Sequence, residues 1–384
     1  MKIQFIGATE TVTGSKYLLT LGRHTLLIDC GMFQGLKNAR KKNWQALPIE
    51  PSQIDAVLLT HAHVDHSGYL PALMKKGFSG PIYCSHATRA LCKVLLPDAG
   101  YLQEEDARYA NKGKFSRHQP AEPLYTEQDA LKVLKQFKVL NTEKSHKLFD
   151  DCQVRFRPVG HILGASSIRI SSEGKSITFS GDVGRPDDLI MTPPESIKNT
   201  DYLVVESTYG DRLHPKLNAY RAMRDIIKRT INRGGIVLMP AFAVGRAQLA
   251  LHIIEQLRAK KEIPKVPVFL NSPMAITATE LFFDYQDKHR LNPGQCEAID
   301  HMVTFAKTKA ESMELVARKD PCIIISASGM ASGGRVLHHL KALLSNPKNS
   351  ILFLGYQAAG TRGFSLTQGK EKIKIHGSYI PVNA

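Results

Sequence analysis

The chain has 384 residues, 43% of them hydrophobic and 22% charged. That is globular composition for two or three domains, with a core that needs no disulfide support. The formal net charge of +16 favours a polyanionic partner through long-range attraction and counterion release. No run of about 18 apolar residues is present, so no membrane span is expected. The N-terminal "MKIQFIGATETVTGSKY" lacks the apolar core of a signal peptide. Six scattered cysteines with no CxxC pair read as reduced, buried thiols of a cytoplasmic protein, and this argues against zinc–thiolate sites.

In chain order, "KYLLTL" and "TLLIDCG" read as a hairpin around Gly22–Arg23–His24. "DAVLLTH" is a continuous apolar run of strand length, suited to a sheet covered on both faces. "HSGYLPALMKKG" predicts a helix stopped by Gly77, and "PIYCSH" a further strand. Helices are expected over about 87–111 and 126–139. "QVRFRPVGH" reads as a strand, and "SSIRISS" with "SITFSGD" as a second hairpin around Glu173–Gly174. From about residue 200 strands and helices alternate. "DYLVVEST", "GIVLMPAF", "VPVFLNS", "CIIISAS" and "SILFLGY" are separated by helices near 219–233, 245–260, 276–285 and 335–344. That spacing suits βαβ crossovers and a largely parallel sheet. The chain therefore reads as two α/β domains, the first hairpin-rich and the second doubly wound.

The chemistry concentrates in "LLTHAHVDHSG". His61 and His63, one residue apart after a strand, point the same way and can converge on one cation. Asp65 and His66 follow where the chain turns into a helix and can reach a second position. Three imidazoles and a carboxylate suit zinc, manganese or another borderline divalent ion. Four ligands on one short stretch cannot fill two coordination shells. Asp29, His161 and Asp182 each end a strand-like run, as His61 does, and that end of a sheet gathers ligands. His161 can complete a first site with His61 and His63. Asp182 can bridge it to a second site with Asp65 and His66, and Asp29 can hold a ligand imidazole. A surplus over four ligands favours an open, catalytic, two-metal site.

"THAHVDHSG", "GHILGAS" and "SGD" resemble the metallo-β-lactamase fold, an αββα sandwich with two metals at one edge. "VVESTYGDR", "MPAFAVGRAQ", "NSPMA", "SASGMASGGR" and "LGYQAAGTRG" resemble, in order, the β-CASP branch of that superfamily. The resemblance covers essentially the whole chain, with a metallo-β-lactamase domain over 1–207 and a β-CASP domain over 208–384. It implies a metal-dependent ribonuclease with two zinc ions, or manganese in their place. A hydroxide held between the metals attacks phosphorus in line and leaves a 5′-phosphate and a 3′-hydroxyl. It places His61, His63, His161 and Asp182 on one ion, and Asp65, His66 and Asp182 on the other. Glu206 is then the acidic residue of the first β-CASP motif. Asp29, Asp65, Asp182 and Glu206 form the catalytic set, and single-stranded RNA is the expected substrate. A homodimer is compatible with this reading, and no membrane partner is expected.

The second domain is expected to hold the strand. Ser328, Gly329 and Gly333 lie in the Gly-rich stretch before Arg335, where amides at a helix start can bind phosphate. Arg246 opens a helix after a strand, and Gln357, Thr361 and Arg362 lie in a loop suited to substrate. Tyr209 reads as a core aromatic and His338–His339 as structural. No Walker loop, GxSxG elbow or GxGxxG occurs, so NTPase, serine-nucleophile and dinucleotide readings lack support.

The resemblance also implies a departure. In the family, the segment resembling "KIKIHGSYIPVNA" is followed by two histidine motifs. One histidine hydrogen-bonds the residue equivalent to Glu206 and can protonate the leaving oxygen; the other completes the second metal site. The expectation is a fragment of a longer enzyme rather than a naturally short relative. His376 reads as a strand residue. Asn271 stands where the branch commonly has Asp. Competing expectations are a thioester-type hydrolase of the same fold, or a noncatalytic RNA-binding relative.

Overall fold

Two sheets packed face to face form the first of the two units into which the chain divides, Met1–Arg212. The computed structural model describes residues 1–114, 116, 118–213 and 218–384. The first sheet runs in chain order: β1 (Lys2–Phe5), β2 (Tyr17–Leu21), β3 (His24–Ile28), β4 (Ala56–Leu58), β5 (Ile82–Cys84) and β6 (Phe137–Val139). The strands from β1 to β3 pair antiparallel, and those from β3 to β6 pair parallel. The second sheet holds β7 (Ser145–Phe149), β8 (Cys152–Pro158), β9 (Ser166–Ser172), β10 (Lys175–Phe179) and β11 (Tyr202–Val204), in the order β11-β10-β9-β8-β7.

Alternation explains the sandwich. Leu19, Leu26, Ile28 and Leu58 of the first sheet meet Val154, Phe156, Ile168, Ile170 and Phe179 of the second in one buried cluster. Leu27 and Val57 sit between those inward residues in sequence and are also fully buried. The first sheet is therefore covered on both faces, and the long helix His86–Gly113 packs against β6.

Several expectations change here. The helix expected over 126–139 ends early. Glu127–Val133 is helical behind a Thr126–Asp129 capping box, a 3-10 turn follows, and Phe137–Val139 pairs with β5 as the sixth strand. "HSGYLPALMKKG" breaks into Val64–Ser67 and Leu70–Lys75, with Pro71 in the first turn of the second helix. The strand in "DYLVVEST" pairs parallel with β10 in the first unit. The strands β1 and β7 carry no strong apolar run and were not foreseen.

The second unit, Leu213–Ala384, is built on a parallel sheet. It contains β12 (Val237–Pro240), β13 (Val268–Leu270), β14 (Val303–Phe305), β15 (Ile323–Ser326) and β16 (Ser350–Ile351). Their order is β14-β13-β15-β12-β16, all parallel, the doubly wound pattern expected. Helices Ala219–Asn232, Arg246–Ala259, Pro273–Asp284 and Val336–Leu343 fall where they were read. Helices Pro293–Met302 and Lys309–Ala317 are additional, each started by a capping box, Asn292–Gln295 and Thr308–Glu311. A hairpin of β17 (Lys372–Ile375) and β18 (Ser378–Pro381) follows. His376 is not a strand residue: it has φ 46° and shares the hairpin turn with Gly377 at φ 82°. All six cysteines are buried and free. Among the described residues no helix is long and apolar enough to cross a membrane.

Candidate metal centre

The candidate ligands sit just past strand ends. Asp29 follows β3, His61 follows β4, His161 follows β8 and Asp182 follows β10. The segment Val64–Ser67 turns helical directly after His63. Three backbone links bind residues 64–69 to the loop after β3: Cys30 N donates to His66 O, Met32 N to Val64 O, and Tyr69 N to Cys30 O. The approach is so close that a Cβ on Gly31 would fall 1.5 Å from Asp65 O. Only glycine fits there.

One ligand atom from each of His61, His63, His161 and Asp182 lies within 4.8 Å of the others. His63 Nδ1 is 3.1 Å from His61 Nε2 and 3.1 Å from His161 Nε2. Asp182 Oδ2 is 3.4 Å from His161 Nε2 and 3.7 Å from His61 Nε2. A tetrahedral ion with bonds of about 2.0–2.1 Å spaces its ligands about 3.3 Å apart. The four donors have that spacing and that chemistry, so a divalent cation fits them. On its other oxygen, Asp182 Oδ1 lies 3.1 Å from His66 Nε2. Asp182 thus faces both halves of the expected pair of sites. Asp65 and His66 lie outside the foursome.

Asp29 organises this cluster without touching its centre. It is 1% exposed. Its Oδ2 is 2.7 Å from His66 Nδ1 and accepts from the Thr60 hydroxyl at 2.9 Å, and its Oδ1 accepts from Thr60 N at 2.8 Å. Thr60 Oγ1 in turn lies 3.0 Å from His61 Nδ1. One carboxylate therefore holds Nδ1 of His66 directly and Nδ1 of His61 through Thr60, turning Nε2 of each ring toward the site. Thr60 was not anticipated. Replacing Asp29 with Ala is expected to weaken zinc affinity about 10–100-fold, read by competition with a chromogenic chelator. An unchanged affinity would show that the imidazoles hold their orientation without it.

Electrostatics agree with this arrangement. Burial, then the charge of His66, holds His61 well below its ordinary pKa, so its nitrogen is free for a cation near neutral pH. Burial opposes charge on His66, but Asp182 and Asp29 outweigh it and raise its pKa. Burial also works against the Asp182 anion, yet His66 and the neighbouring imidazoles hold its pKa well down. Burial pushes Asp65 up to about 6.

Glu206 braces the loop that carries Asp182. Its Oε1 accepts from Val183 N at 3.0 Å, and its own N–H donates to Ser180 Oγ at 3.1 Å. Lys16 braces the other side. The residue is 2% exposed, and its ammonium donates to Gly31 O and lies 4.7 Å from both the Phe33 and Tyr69 ring centres. Burial first, and Lys76 in addition, push its pKa down to about 8. The unfolded chain then binds more protons than the fold between about pH 8 and 10.5, so this residue's contribution to stability rises with pH across that window. The stability of the native protein minus that of Lys16→Met should climb by about 3 kcal/mol from pH 7 to 10.5. Urea midpoints on zinc-saturated protein measure it, and a difference flat in pH contradicts the claim.

In the second unit the expected substrate contacts are largely turned inward. Arg335 donates to Asn271 Oδ1, Ala306 O and Lys307 O at 2.8–3.0 Å. Arg362 donates to Lys374 O, Ala331 O and Ser332 O. Gln357 donates to Gly329 O and Gly355 O, and Thr361 caps the helix Arg362–Thr367. Ser328 Oγ accepts from Ser332 N, while Gly333 opens on free space. The first amides of the helix after Arg335 are also used, Val336 N by Ala327 O and Leu337 N by Gly334 O. Arg246 is exposed at its helix start. Asn271 is fully buried: beyond Arg335 it donates to Ser312 Oγ and lies 2.6 Å from His339 Nε2. His339 is thus structural. His338 is exposed, with its ring 4.7 Å from that of His376. Tyr209 is 40% exposed and so is not a core aromatic.

Comparison with known proteins agrees with the geometry. The metallo-beta-lactamase superfamily model matches residues 11–229, and the Beta-Casp domain model matches residues 247–366. A ribonuclease of Thermus thermophilus is 33% identical across 100% of this chain and 86% of its own length. An RNase J-like protein of Methanocaldococcus jannaschii is 31% identical across 99% of this chain and 83% of its own. Transcription termination factor FttA of Methanosarcina mazei is 31% identical across 98% of this chain, which spans 59% of that relative. The chain belongs to the β-CASP branch of the metallo-β-lactamase superfamily.

Proposed function

We propose that the protein is a metal-dependent ribonuclease that hydrolyses single-stranded RNA, with two zinc ions, or manganese in their place, as its cofactor. The observation that carries this reading is the convergence of His61, His63, His161 and Asp182 within 4.8 Å. The positive charge of the chain and its ribonuclease relatives support RNA as the polymer. His61, His63, His161 and Asp182 would hold one ion, and Asp182, His66 and Asp65 the other. Bound there, divalent cations supply a nucleophile at neutral pH and neutralise charge on the phosphate.

The chain's own contribution is orientation. Asp29 holds Nδ1 of His66 directly and Nδ1 of His61 through Thr60, so Nε2 is the atom each ring turns to the site. Asp182 offers one oxygen to each side. Glu206 fixes the backbone beside Asp182. A cytoplasmic location accords with the reduced cysteines.

The test is incubation of end-labelled single-stranded RNA with the zinc- or manganese-loaded protein. Cleavage leaving 5′-phosphate ends and lost in Asp65→Ala is the expected result. Thioester turnover without RNA cleavage, or cleavage that survives Asp65→Ala, would overturn the proposal.

A further inference from the structure

After Asp320 only Glu371 is acidic, against Arg335, Lys341, Lys348, Arg362, Lys370, Lys372 and Lys374. The fold brings Lys341, Arg362, Lys372 and Lys374 to the terminal hairpin and the helix beneath it. Ile373 and Ile375 of β17 are buried in the same cluster as Leu337, Leu340 and Leu344, which seats the terminal hairpin on the helix Val336–Leu343. Strand alternation then turns Lys372 and Lys374 outward. Their register partners are Pro381 and Tyr379, so these four residues share the outer face. Tyr379 is 69% exposed, and Lys374 Nζ lies 5.8 Å from its ring centre.

Lys341 and Arg362 add charge of the same sign at the flanks. The His376 ring in the hairpin turn lies against His338, and Lys341 follows one helical turn on. Arg362 spends its guanidinium on the carbonyls of Lys374, Ala331 and Ser332, so no carboxylate neutralises it. Among the described residues Lys341, Lys370, Lys372 and Lys374 make no ion pair, although the chain forms such pairs elsewhere. Solvated surface lysines are ordinarily interspersed with acids. Here like charges are held together around an exposed aromatic, an arrangement that costs repulsion until an anion covers it.

We propose that the outer face of the β17–β18 ribbon, with Lys341 beside it, binds the backbone of single-stranded RNA, with Lys372 and Lys374 on phosphates and Tyr379 stacking on a base. The proposal rests on the ribonuclease reading and names a surface that holds the polymer. Lysines with an exposed ring beside them match a single strand, whose bases are free to stack. An acidic peptide would use the charge and leave the ring without a role.

The experiment is anisotropy of a labelled 15-nucleotide RNA on the full chain, titrated over salt. Three variants are compared: Lys372→Ala/Lys374→Ala, Tyr379→Ala, and the charge-matched control Lys132→Ala/Lys135→Ala, two exposed lysines of the first unit. The ribbon double variant should bind about tenfold more weakly near 0.1 M salt, with the log–log salt slope shallower by about 1.4. Tyr379→Ala should lose at least about fivefold in affinity with the slope unchanged. The control should lose less than about twofold. Polyglutamate serves as competitor. Variants that bind RNA like the native chain overturn the ribbon while native RNA cleavage keeps the ribonuclease reading. Loss of polyglutamate binding with RNA affinity intact also overturns it, in favour of an acidic protein partner. A native chain that neither binds nor cuts RNA overturns both.

Discussion

Asparagine in place of Asp182 is expected to slow RNA cleavage by about 10³-fold or more. The substitution keeps the shape of the side chain and removes one charge, so it isolates what the charge does. Asp182 is the single carboxylate in the foursome with His61, His63 and His161. It also reaches His66 Nε2 at 3.1 Å through its other oxygen. An amide can offer only one oxygen, so one of the two directions loses its acceptor. The loss differs from that at Asp29, which acts through His66 and Thr60 and leaves the donor set intact. Single-turnover cleavage at saturating zinc, with metal content measured alongside, separates lost binding from lost rate. A variant within tenfold of the native rate would mean that Asp182 is not a bridge between the sites.

Much of this site was legible because each ligand ends an apolar run of strand length. "TLLID", "AVLLTH", "RFRPVGH" and "ITFSGD" place Asp29, His61, His161 and Asp182 at the same edge once the strands pair. Thr60 was not legible. A threonine before a histidine is chemically anonymous until Asp29, distant in sequence, arrives against both its N–H and its hydroxyl. Arg335 and Arg362 fail for the opposite reason. A basic residue in a Gly-rich loop looks alike whether it meets phosphate or a backbone carbonyl. Only the tertiary fold brings Ala306 O and Lys307 O to Arg335. The helices begun at Asn292 and Thr308 did carry readable capping boxes. Their apolar periodicity was weak, because Cys296 and Ile299 in one and Ser312 and Leu315 in the other are the only residues they bury.

Stripping the metal with a chelator should abolish cleavage and lower the thermal midpoint of the first unit, and zinc or manganese should restore both. The argument is one of unmet lone pairs. Three imidazole nitrogens and a carboxylate oxygen face one another across 3.1–3.7 Å, and His61 is fully buried. Without a cation these acceptors repel or must share protons. Burial, and then the charge of His66, keeps His61 from taking one readily. A ligand at 1,000 times its dissociation constant stabilises a fold by about 4 kcal/mol, which is a midpoint shift of about 10 °C for a unit of this size. Asp182→Asn should show a smaller shift, since it contributes one donor fewer to the same centre. Calorimetry of the chelated and zinc-restored protein makes the comparison. A midpoint indifferent to chelation, in protein shown by elemental analysis to have lost its metal, would mean that this cluster is packed for some purpose other than holding a cation.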